Sequence, residues 1–339
     1  MITIRPVGFT TEVTPEVDLP ALLAGLVRPE PGDILVVTSK IVSKWLGLYA
    51  ASADREALVL RQARAVVAER ATESGGITRV VHATAGPVMA GAGIDASNAG
   101  DDRLLLLPDD ADAVARQLRA HLAGLLSRPA DFAVLLSDTS GRAWRAGLTD
   151  FALGAAGLRP IDDLRGLPDT AGRDLAVTIR NIADEVASAA DLVKGKVDRV
   201  PVALVSGLAA YVTAEDGPGA CGLVRTGPSD WFGLGRAEAV RAALGVAPGT
   251  PSATEAGIES VAPEPLHEKV SRAVRVALSA GDAVEVELAA RGAALAIRLQ
   301  GGDPVALGRV WARLEVALAG ERVSATAHRD ATDVTLTAG

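Results

Sequence analysis

Between residues 32 and 44 the chain reads GDILVVTSKIVSK. Ile34 to Val37 form a short, unbroken apolar run, the pattern of a buried strand rather than of an amphipathic helix. Thr38, Ser39, Lys40, Ser43 and Lys44 follow at once, so hydroxyl and ammonium groups emerge together at the strand's end. Phosphate is their natural partner. The glycines of a GxxxxGK[ST] loop are absent, and a capped helix start followed by solvated lysines accounts for the same residues.

The pattern recurs outward from this stretch. Phe132 to Leu136 and Val202 to Val205 are further buried-strand candidates. Helical periodicity is expected over Glu56 to Ala71 and over Ala111 to Leu126, the latter opening on Pro108, Asp109 and Asp110. Ile179, Ile182, Val186, Ala190 and Val193 mark one helix face. Alternation of this kind predicts a mixed α/β domain over residues 1–247. Residues 248–265 turn to Pro, Gly, Ser, Thr and Glu without apolar periodicity and read as a linker. Over 266–339, apolar spacing gives the order α-β-β-α-β-β, a small α+β domain. Its helices are carried by Leu266, Val270, Val274 and Leu278 and by Leu307, Val310, Leu314 and Leu318. Its first two strands alternate at Val284, Val286 and Leu288 and at Leu295, Ile297 and Leu299, across Arg291-Gly292.

Composition excludes several classes. Of 339 residues 49% are hydrophobic but only 3% aromatic, so the core is built from Ala, Val and Leu. A formal charge of -8, with no contiguous basic run, disfavours a nucleic-acid surface. No apolar run is long enough to span a bilayer and no leader opens the chain, which predicts a soluble, cytoplasmic protein. Cys221, the one cysteine, reads as a small packed residue. His82, His121, His267 and His328 lack the spacing of a zinc site, and no GxSxG marks a serine hydrolase.

Two acidic loops hold candidate chemistry. Gly93-Ile94-Asp95-Ala96-Ser97-Asn98 gathers a carboxylate, a hydroxyl and an amide beside glycines, although an Asx turn would use the same residues. Ser137-Asp138-Thr139-Ser140-Gly141-Arg142 follows a strand directly, which puts Asp138 where open α/β sheets place their ligands. A carboxylate with an adjacent hydroxyl offers hard oxygen donors to Mg²⁺ or Mn²⁺; an Asx turn is again the alternative. Arg142, Trp144, Arg145, Gly147, Thr149 and Asp150 then form a dense polar stretch that reads as a substrate loop.

Taken together, GDILVVTSKIVSK, AGIDASN, SDTSGRAWRAGLTDFALGAAGL and IADEVASAADLVKGKVDRVPVALVSGL resemble, in order, the signature segments of the coenzyme F420-0:L-glutamate ligase family. The third is the most specific. The resemblance spans about residues 1 to 245 and implies a two-subdomain α/β fold of the family's own type, working as a homodimer. It implies that GTP phosphorylates the carboxylate of coenzyme F420-0 and that the amine of L-glutamate displaces phosphate from the acyl phosphate. By the same resemblance Asp95, Asp138 and Thr139 bind divalent Mg²⁺ or Mn²⁺, with K⁺ a further candidate ion. Asp95 and Asp138 would be the catalytic pair, and Ser39, Lys44 and Asn98 would contact GTP.

The chain departs from the family at several places. Phe9-Thr10-Thr11-Glu12 stands for an LP-containing nucleotide loop, Trp45-Leu46-Gly47-Leu48 for a Glu-Gly-Arg run, Lys196 for a glutamine metal ligand, and Ala85 and Gly91 for a His and an Asn. The tail is too short for the flavin-binding domain fused to some members, and no flavin is expected. A related amide ligase for another carboxylate or amine, or a non-catalytic dimeric binding protein, are the alternative readings.

Overall fold

In the computed structural model every residue is described except Asn98, Asp101, Lys196, Val197, Ala331, Thr332 and Gly339; of Arg329, Asp330, Asp333 and Val334 only the backbone is. The chain is mixed α/β and divides into two compact units, Met1–Arg55 with His82–Thr226, and Glu56–Val81 with Gly227–Gly339.

The first unit is built on a five-stranded sheet. Its order is Thr3–Val7, Val202–Ser206, Ile34–Thr38, Ala133–Arg142, Arg145–Ala156. Ile34–Thr38 pairs parallel with Ala133–Arg142, while the other three pairings are antiparallel. The central strands are apolar without alternation because both faces are covered: Ile34, Leu35, Val36 and Val37 are fully buried, as are Ala133, Val134, Leu135 and Leu136. Each such Val, Leu or Ile contributes roughly 1.5–3 kcal/mol.

On one face lies the helix Ile182–Lys194, capped by Asn181, whose side chain accepts from the Asp184 amide. Its inward residues Ala183, Val186, Ala187 and Ala190 pack on Ile34, Val36, Leu135 and Val205. Small side chains let the helix lie close to the sheet. Helix Ala111–Leu125, capped by Asp110, packs on the hairpin strands with Ala115, Leu118 and Leu122 inward. Here approach is closest at Gly154, where an added Cβ would stand 2.4 Å from the Ala111 carbonyl atoms. Any larger residue at Gly154 would force the helix off the strand.

Two expectations in this unit change. Ile179 belongs to the short strand Ile179–Asn181, and the helix face begins at Ile182. The polar stretch from Arg142 to Asp150 is not a loop but the turning end of a long hairpin, with Trp144 in the left-handed region at φ 59. Cross-strand pairing holds it extended despite its Arg and Gly content.

The second unit corrects the helix expected over Glu56 to Ala71. The helix stops at Arg61, and Ala63–Ala71 is a strand. Alternating Val, Ala, Glu and Arg suits either state, and the neighbouring strand decides: buried Glu69 accepts from Arg79 Nε at 2.8 Å across the sheet. Leu266–Leu278, Glu285–Arg291, Ala294–Gln300, Pro304–Gly320, Ala325–Asp330 and Asp333–Ala338 follow in the expected order. Their strands make one antiparallel sheet. Within 248–265, read as a linker, Thr250 caps the helix Pro251–Ala256. Ala253 and Ala256 join the core of Val270, Ile297 and Leu314. Six residues are too few to show a helical period. Buried Glu321 accepts from both Arg241 and Arg272, and pairing of this kind is what permits charge in that core.

Candidate active site

Parallel pairing sets Thr38 opposite Ser137. The next residues, Ser39 and Asp138, therefore emerge side by side, Ser39 where the strand Ile34–Thr38 ends and Asp138 not at a strand's end, as the sequence suggests, but partway along Ala133–Arg142, which runs on past its partner. Ser39 Oγ donates to Asp138 Oδ1 at 2.7 Å. The ladder to Arg145–Ala156 shifts register between Leu136 and Ser137, one residue before Asp138. Irregularities of this kind re-aim the side chains that follow them.

Three carboxyls gather here. Burial pushes Asp138 up to about 6, repulsion from Asp150 and Asp95 adds to the rise, and hydrogen bonds from Ser39 and the Thr139 amide oppose it. Asp95 behaves differently. Partial burial pushes its carboxyl up, but hydrogen bonds from Lys40 and Ser97 outweigh that and leave it below the ordinary value. Lys40 Nζ lies 2.8 Å from Asp95 Oδ2, and the Ser97 amide donates to Asp95 Oδ1 at 2.7 Å.

Asp150 is the most deeply placed of the three. It is 2% exposed, and its Oδ1 accepts from Thr139 Oγ1 at 2.7 Å. Its Oδ2 accepts from Ser137 Oγ at 2.8 Å and from Lys194 Nζ at 2.6 Å. Lys194 is itself 3% exposed and also donates to Ser137 Oγ at 2.6 Å. A carboxylate so enclosed is stable only because an ammonium group answers it. In giving its hydrogen to Asp150, the Thr139 hydroxyl keeps its lone pairs for another ligand.

These groups line one groove of about 1250 Å³. Ser39, Lys44, Asp95, Asp138 and Thr139, the residues singled out in the sequence, all stand on its wall, and so do Lys40, Asp150 and Lys194. Lys44 is buried and bonds to Glu12, whose side chain is 74% exposed. Phe9, Thr10 and Thr11 continue the wall beside Glu12. Asn98 and Lys196 lie outside the described residues.

Among the described residues no three of His, Cys, Asp and Glu gather as a metal cage. Two carboxyls and a hydroxyl are instead the partial oxygen set on which Mg²⁺ is held when phosphate oxygens complete the shell. Burial, with repulsion from Asp150 and Asp95 added, disfavours the Asp138 carboxylate, and a hard cation relieves that strain, so these donors fit such an ion.

Sequence reading missed Asp150 as a site residue and Lys194 altogether. Lys194 carries no local signal, because the partner that explains its burial is 44 residues away. Asp150 was visible only as one polar residue among several.

A model of the F420-0:Gamma-glutamyl ligase family matches residues 9–207. That is more than half of the chain and includes every groove residue named above. A coenzyme F420:L-glutamate ligase of Methanopyrus kandleri is 34% identical over 237 residues, covering 64% of this chain and 91% of that protein. One from Archaeoglobus fulgidus is 35% identical over 205 residues, covering 56% and 82%. One from Halobacterium salinarum is 37% identical over 222 residues, covering 58% and 85%. The chain belongs to the F420-0:gamma-glutamyl ligase family.

Proposed function

We propose that the chain joins the carboxylate of coenzyme F420-0 to the amine of L-glutamate, with GTP as phosphoryl donor. The observation that carries this reading is the groove itself, where Lys40 and Lys44 stand with Asp95, Asp138 and Thr139. Ammonium groups beside acidic oxygens suit a nucleotide triphosphate and its cation. The relatives' names supply the two substrates joined.

A carboxylate oxygen of the acceptor attacks the γ-phosphorus of GTP, and the bond from that phosphorus to the β–γ bridging oxygen breaks. The products are GDP and an acyl phosphate. The glutamate amine then attacks the acyl carbon and loses a proton, and phosphate leaves with the electron pair of its bond. Asp95, Asp138 and Thr139 would hold a divalent ion, which would supply neutralisation of the charge on the transferring phosphoryl group.

The protein's own groups do the positioning. Lys40 and Lys44 exchange Asp95 and Glu12 for phosphate oxygens, which pair better with a compact ammonium charge. Asp150, held by Lys194, fixes the direction of the Thr139 hydroxyl. Ser39 holds the Asp138 carboxyl against rotation.

Steady GDP release tests the reading. With GTP, Mn²⁺, F420-0 and L-glutamate the wild-type chain releases GDP continuously, and omission of either F420-0 or glutamate stops it. GDP release indifferent to glutamate, or none with all components present, would overturn the proposal.

A further inference from the structure

A second cavity, of about 380 Å³, lies in the same unit and shares Met89, Ser140, Gly141 and Asp150 with the groove. Its size falls within the range of small-molecule sites. Val88, Phe151, Leu153, Leu223 and Val224 give it an apolar wall, and Asp184, Ser188, Arg142 and Arg225 give it a polar edge. Apart from Asp150, none of its lining residues has a part in the phosphoryl-transfer scheme.

Position and chemistry restrict its occupant. Ser140 and Gly141 follow Thr139 directly on the same strand, so the cavity begins about 3–7 Å along the chain from the proposed phosphoryl site. The acceptor's carboxylate reacts at that site, and the rest of the acceptor must leave it in some direction. The proposed acceptor F420-0 is a deazaflavin, with its carboxylate on a tail and a planar aromatic ring at the far end. GTP is taken by the groove, where Lys40 and Lys44 stand, and glutamate is too small and too polar to gain from five apolar side chains. An aromatic ring gains from them, and its imide N–H and C=O groups can use the polar edge.

We infer that this second cavity holds the aromatic ring of the carboxylate substrate, with the tail crossing the shared wall at Ser140 and Gly141 into the groove. The inference rests on the ligase reading above, and it names the place in which the acceptor is recognised. Cys221, exposed, also lines the cavity and is the chain's one thiol, so it serves as a reporter. A hydrogen bond to Asp112 raises that thiol above its ordinary value, with burial adding to the rise, so alkylation is run at mildly alkaline pH.

Two measurements test the assignment. The rate of Cys221 alkylation is followed with and without saturating F420-0, which requires no turnover. Acceptor and GTP KM values are measured for Val88→Trp, at a position 41% exposed, and for Val224→Trp. The acceptor should slow alkylation at least fivefold, and at least one substitution should raise acceptor KM tenfold or more with GTP KM within twofold. Alkylation indifferent to the acceptor, or acceptor KM unchanged in both variants, overturns the assignment while ligase activity stands. Absence of glutamyl transfer by the wild-type chain is a different failure and strikes the ligase reading itself.

Discussion

Ser39 Oγ donates to Asp138 Oδ1 at 2.7 Å across 99 residues of sequence. Parallel register between two buried strands creates this contact, so the apolar runs that build the core also assemble the site. A change that slips the register would separate the pair without touching either residue.

Asp138 should make the metal-free protein less stable as pH rises. Its folded value of about 6 lies above the ordinary 3.8, so between these values the folded state holds a proton that the unfolded chain has released. Stability therefore falls as pH climbs from about 4 to about 6, by at most about 3 kcal/mol, and stays lowered above. Asp138→Asn should raise Tm relative to wild type at pH 7.5 and not at pH 4. Equal pH dependence of the two proteins would show that Asp138 is not strained.

Divalent-ion binding follows from the same group. Below pH 6 the Asp138 carboxyl is increasingly protonated, so Mn²⁺ affinity measured by calorimetry should fall by up to about tenfold per pH unit. In Asp138→Asn the affinity should be low throughout. A pH-independent affinity would place the ion elsewhere.

Removal of the Lys44 ammonium should weaken nucleotide binding. Charge-assisted hydrogen bonds contribute about 1.5–3 kcal/mol, so Lys44→Ala should raise the Kd for GTP tenfold or more with glutamate KM unchanged. An unaltered Kd would return Lys44 to its pairing with Glu12 alone.

Lys194→Met should be costly. It leaves Asp150 as a buried, unanswered carboxylate, a loss of about 3–5 kcal/mol in comparable cases. Lys194→Met combined with Asp150→Asn should recover much of that loss in denaturant unfolding while glutamyl transfer stays impaired, because Thr139 has lost its anionic partner. Additive destabilisation in the double variant would deny the coupling.

The sheet was legible where burial on both faces leaves an unbroken apolar run, as at Ile34 to Val37, Phe132 to Leu136 and Val202 to Val205. The order of the last six elements was legible because their periods differ cleanly. Ala63–Ala71 was not, since its residues fit a helix until Arg79 on the next strand reaches Glu69. Of the groove, single acidic loops were readable and their convergence was not. Lys194 shows why: its meaning lies wholly in Asp150 and Ser137. Cys221, read as a packed residue, is exposed because its short segment lies at the cavity wall instead of in the core.

The most direct test is mass spectrometry of F420-0 after incubation with GTP, Mn²⁺ and L-glutamate, run side by side for wild type and Asp138→Asn. The wild-type chain should add the mass of a glutamyl residue with one GDP formed per addition, and the variant should lose at least about two orders of magnitude in rate while remaining folded. No added mass with the wild-type chain, or equal rates for the two proteins, would contradict the account.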